Sequence, residues 1–158
     1  MNTEDEQSSQ SPHRPSPRKV EEIEKLANRL KDMTVTEKTK LALVGDAEAR
    51  RMLIRDSNRQ VQMAVLENPR ITENEIIGIA NSRSTPDEML RAIIGNREWY
   101  KHYAVRLALV KNPKTPPALA IRMVGGLVSS DLKLLAKNKT VSRAVAQQAE
   151  RIAFKKKQ

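Results

Sequence analysis

The sequence predicts an all-α chain: a small α-solenoid of about eight or nine short helices, stacked into a right-handed superhelix behind a disordered N-terminal tail. Three observations predict it. Hydrophobic residues are 39% of the chain but aromatic residues only 3%, so the core must be built from Leu, Ile, Val, Met and Ala. Helix-stop signals recur near Gly45, Asp56, Asn68, Asn81, Gly95-Asn96, Asn112, Gly125-Gly126 and Asn138, at intervals of 11 to 17 residues. And one phrase is written twice. V-Q-M-A-V-L-E-N-P at 61–69 aligns without a gap on V-R-L-A-L-V-K-N-P at 105–113.

Residues 1–18 are polar, rich in Ser and Pro, and have nothing to bury, which reads as a disordered tail. Ser11-Pro12 and Ser16-Pro17 are candidate phosphorylation sites within it. The helical repeat domain is read over 19–154, with a short basic end at 155–158. Order begins near Lys19, where Val20, Ile23, Ala27 and Leu30 form one apolar stripe at helical spacing.

Thr34 with Glu37 three residues on is a capping box, in which each side chain satisfies a backbone N–H of the new helix. Thr72 with Glu75 repeats it. Thr85 and Thr115, each followed by proline, read as further N-caps with the proline at the first helical position. Asn just upstream suits the left-handed conformation that ends a helix, and the proline of Asn68-Pro69 and Asn112-Pro113 forbids continuation. Each interval then holds one helix of two to three turns, too short to be stable unless stacked.

The stretch V-R-L-A-L-V-K-N-P-K-T-P-P-A-L-A at 105–120 resembles the repeat of the leucine-rich-repeat-variant proteins and, more broadly, HEAT-like helical repeats. The resemblance covers about residues 55–150 and rests on the two Asn-Pro junctions. The chain departs from the family's short regular repeat, since Asn68, Asn81, Asn112 and Asn138 are 13, 31 and 26 residues apart. The resemblance implies a stacked-helix binding scaffold and does not by itself imply an enzyme.

The net charge of +10 points to partners, not to fold. Residues 96–158 carry fourteen Lys or Arg against three Asp or Glu, so the excess lies in the C-terminal part. Three of the four aromatic residues, Trp99, Tyr100 and Tyr103, fall among Arg97, Lys101 and Arg106. On a single helix Trp99, Tyr103 and Arg106 would share a face. Such a face could stack bases and neutralise phosphates, or the rings could equally fill the core. The basic series continues through Lys111, Lys114, Arg122, Lys133, Lys137, Lys139 and Arg143. Lys111, Lys114, Lys137 and Lys139 sit at helix junctions, which in a stacked array would align as a ridge. For any one of them, offsetting a helix dipole is the ordinary account.

The expected partner is an anionic macromolecule: DNA or RNA, or else an acidic protein surface. Head-to-tail self-association through the acidic stretch 67–95 is a further alternative. Catalysis has little behind it. Glu73 with Glu75 and Asp87 with Glu88 stand where first-turn acids belong, and His102 has no apparent partner. HEAT-like repeats also resemble the scaffold of a bacterial alkylpurine DNA glycosylase family, which implies an acid in the groove. Asp131 is the one candidate between Glu98 and Glu150. No cofactor or metal site is expected, as there is no cysteine and no phosphate-binding loop. The chain shows no signal peptide and no apolar run of membrane-spanning length, so a cytoplasmic location is expected.

Overall fold

The computed structural model describes residues 14–158 and is helical throughout, without a strand among those residues. Ser11-Pro12 and most of the expected tail lie outside the described residues. The chain divides into two compact units, Met1–Pro69 and Arg70–Gln158. The boundary falls on the first Asn-Pro phrase. It also divides the charge: the first unit holds twelve bases and twelve acids, the second seventeen bases and seven acids.

The first unit contains α1 (Pro17–Asp32), α2 (Val35–Val44), α3 (Ala47–Leu53) and α4 (Arg59–Leu66). Helix α1 starts two residues ahead of Lys19, because the Ser16 hydroxyl accepts from Lys19 N and Pro17 suits the first turn. Its apolar stripe does not reach the core, and no residue of α1 is buried. The Thr34–Glu37 capping box opens α2 as expected. Helix α2 packs on α4. Gly45 ends α2 where a Cβ would stand 2.6 Å from Leu41 O and 2.7 Å from Ala49 Cβ, so only glycine lets the chain turn into α3. Asp46 then caps α3 through Ala49 N.

The second unit contains α5 (Glu73–Asn81), α6 (Asp87–Gly95), α7 (Arg97–Tyr100), α8 (Tyr103–Lys111), α9 (Pro117–Val124), α10 (Ser129–Ala136) and α11 (Arg143–Lys155). Helix α8 packs on α5 and α9, and α11 packs on α9 and α10. Their facing sides are Ile, Leu, Val, Met and Ala, including Ile76, Leu90, Leu109 and Leu132, all fully buried.

Eleven helices among the described residues exceed the expected eight or nine. Part of the excess is the interval 97–112, read as one helix. It breaks after Tyr100 and restarts at Tyr103.

The doubled phrase folds alike in both places. Across 61–69 and 105–113 the burial class is the same at all nine positions. Asn68 and Asn112 are 1% and 4% exposed. Neither takes the expected left-handed conformation, since no described residue has a positive φ. Each is instead a clasp. Asn68 Nδ2 donates to Ala42 O (2.8 Å) and Gly45 O (3.0 Å) at the end of α2. Asn112 Nδ2 donates to Ala80 O (2.7 Å) and Ser82 O (2.9 Å) at the end of α5. Carbonyls at a helix end have no partner within the helix, and the amide supplies one; Gly45 O also accepts from Arg50 Nη1 and Ser82 O from Thr85 N.

Two expected caps are corrected likewise. Thr85 and Thr115 are buried, and their hydroxyls point backwards to Ile79 O (2.7 Å) and Leu109 O (2.6 Å). Pro86 and Pro116 occupy the cap positions, without a side-chain cap bond. Thr72 keeps its capping box with Glu75.

Candidate nucleic-acid interface

Three contacts fix the direction of the helices in the second unit. The Asn112 clasp puts the C-terminal ends of α5 and α8 side by side. His102 Nδ1 lies 3.2 Å from Glu73 Oε2, so their N-terminal ends also meet and the two helices run parallel. Helix α9 starts at the clasp and runs back. Lys156 Nζ donates to Leu127 O (2.8 Å), which places the C-terminal ends of α9 and α11 together. Helix α10 starts from that end and returns.

The junctions 82–86, 111–116 and 137–143 therefore share one edge of the unit. This junction edge carries Arg83, Lys111, Lys114, Lys137, Lys139 and Arg143, all exposed. None of the six has an ion-pair partner among the described residues. The acids of this edge are Asp87 and Glu88 in the first turn of α6, and Asp87 is 3.5 Å from Arg91. From Lys111 to Arg143 the sequence has one acid, Asp131, and it stands at the opposite end, in the first turn of α10.

That opposite edge holds the rings. Asn96 closes α6 and its Oδ1 caps α7 through Glu98 N and Trp99 N. Arg106 Nη1 donates to Tyr100 O and Lys101 O, both at 2.9 Å, and so satisfies the carbonyls released where α7 stops. Its guanidinium lies 5.8 Å from the ring centroids of both Tyr100 and Tyr103, which adds a cation–π contact on each side. This clamp is why the expected face of Trp99, Tyr103 and Arg106 on one helix does not form.

The Tyr103 hydroxyl donates to Asp131 Oδ2 (2.5 Å) and accepts from Val128 N (3.0 Å). Burial, with the Asp131 carboxylate beside it, raises the Tyr103 pKa above the ordinary phenol value. Lys101 pairs with Glu98 at 2.6 Å, and that hydrogen bond lowers the Glu98 pKa.

The twelve residues singled out from the sequence thus separate. Lys111, Lys114, Lys137, Lys139 and Arg143 share the junction edge. Arg97, Trp99, Lys101, Tyr103 and Arg106 gather at the ring edge, where the last three are engaged with the protein itself. Arg122 and Lys133 lie within α9 and α10 and join neither group, though both are exposed. Arg83 was missed. Its signal was its place in N-S-R-S-T-P, a degenerate copy of the junction phrase.

Among the described residues no His, Cys, Asp or Glu side chains assemble as a metal site, and no helix is long and apolar enough to cross a membrane. No protein family, curated protein or solved structure matches the chain.

Proposed function

We propose that this chain is a non-enzymatic helical-repeat binding module whose second unit engages nucleic acid through its junction edge. The observation that carries the reading is the gathering of six exposed cations on one edge, none ion-paired among the described residues and with few acids among them. Dipole compensation accounts for a cation at one helix end. It does not account for Lys114 and Lys139, which lie in the connecting segments. The two clasped Asn-Pro phrases support the resemblance to leucine-rich-repeat-variant and HEAT-like proteins, and with it the stacked α-solenoid reading. Asp131 gives no separate support to a glycosylase, since its carboxylate accepts from Tyr103.

Head-to-tail self-association has less behind it. Of the acids it would use, Glu73 faces His102, Glu75 closes a capping box and Asp87 pairs with Arg91.

The test is fluorescence anisotropy of labelled oligonucleotides across a salt series. Binding should fall on a log–log plot with a slope of about −0.9 per duplex phosphate neutralised. Changing Lys111, Lys114, Lys137 and Lys139 together to Glu should abolish it. Wild-type and variant curves that coincide would remove the reading, and an acidic protein partner would become the next candidate.

A further inference from the structure

Resting on that reading, we infer that the ligand is a duplex, gripped by its phosphates and not read by its bases. All four aromatic residues of the chain are placed away from the junction edge. Trp99 and Tyr100 lie in α7, Tyr103 opens α8, and Phe154 lies at the C-terminal end of α11. Each of these positions belongs to the ring edge. Binding of single strands draws about 1–3 kcal/mol per base from rings that stack on it. The junction edge has no ring to offer.

Most of its polar side chains are also spent, Asn81 and the amide nitrogen of Asn138 being the exceptions. Asn112 and Thr115 are buried on backbone carbonyls. Thr140 donates through both its N–H and its hydroxyl to Asn138 Oδ1. Ser82 and Ser84 hydrogen-bond each other. What remains available is mainly charge. Four of the six cations are lysines, which act as point charges and lack the planar fork that reads guanine.

An edge that offers mainly cations, most of them lysines, selects for charge density. A duplex carries one charge per about 1.7 Å of axis, twice the density of one of its strands. The ligand class is therefore a double-stranded phosphodiester backbone of any sequence.

The experiment uses the full chain and three labelled probes of one length: a single strand, the DNA duplex and the RNA duplex of the same sequence. Each is repeated with the sequence shuffled. The expected result is duplex binding about tenfold tighter than single-strand binding, the two duplex arms showing which backbone is preferred, with no effect of shuffling. Replacing Lys111 and Lys114 by Gln should make the duplex slope shallower by about 1.8. Phe154→Ala, at the ring edge, should leave the preference unmoved. Tighter binding to the single strand, a clear effect of shuffling, or loss of binding in Phe154→Ala overturns the inference and leaves the proposed function standing. Absence of binding to every probe overturns both.

Discussion

The hydroxyl of Tyr103 donates to the carboxylate of Asp131 at 2.5 Å, tying the first residue of α8 to the first turn of α10. A residue that looked like a base-stacking platform is thus a tie between two helices. Its other hydrogen bond, from Val128 N, completes the joint.

Tyr103→Phe leaves a half-buried carboxylate and a backbone N–H without that partner. It should lower stability by about 1–3 kcal/mol and leave duplex affinity unchanged. The pH dependence has a definite sign. The folded-state pKa of Tyr103 is raised above its ordinary value of 10.0, so its contribution is intact below that pH and is lost as pH rises through the folded value. Urea midpoints across the alkaline range should fall less in the Phe variant than in the wild type.

Asn112→Ala strips Ala80 O of its donor and Ser82 O of one of two, Thr85 N being the other, and should cost on the order of 1–3 kcal/mol. Asn112→Asp should cost more, because a carboxylate brings charge against Ala80 O and Ser82 O and has no proton to give. Denaturant melts of the two variants should rank in that order.

Glycines give a contrast that thermal melting can read. Gly45→Ala meets backbone and a packed methyl below 3.0 Å and should destabilise by about 1–3 kcal/mol. Gly78 lies within α5 with nothing within 4 Å of a new Cβ, so Gly78→Ala should gain about 0.5–1 kcal/mol.

Acid stability should respond to Asp56. Burial pushes its pKa up, but the Lys38 ammonium at 2.8 Å and the N–H of Asn58 pull it below the ordinary value of 3.8. Its contribution is therefore present above that value and disappears as pH falls through the lower folded one. Lys38→Met should flatten this acid limb in denaturation curves, while the limb of the wild type stays steep.

Helix boundaries were legible because their causes are local. Gly45, Asp56 and the Asn residues end helices where the sequence placed the stops, and the boxes at Thr34 and Thr72 form as spelled. The split after Tyr100 was not legible, because it depends on Arg106 reaching back to carbonyls five and six residues away. Thr85 and Thr115 misled for a related reason. Each carries the letters of a cap, yet a buried carbonyl six residues back takes the hydroxyl. The junction cations were readable as a list. Their common edge was not, since it follows from helix directions set by contacts such as His102 with Glu73, about thirty residues apart.

The pairing of Asn with Pro at both clasps has a chemical consequence. Asparagine ages by attack of the following backbone nitrogen on its own side-chain amide, closing a succinimide ring that opens to aspartate. That nitrogen must carry a hydrogen, and proline's does not. Asn68 and Asn112 are each followed by proline, whereas Asn81 and Asn138 are followed by Ser82 and Lys139. The two amides whose conversion would set a carboxylate against buried carbonyls are the two that this reaction cannot reach. The proline that halts the helix also extends the working life of the clasp beside it.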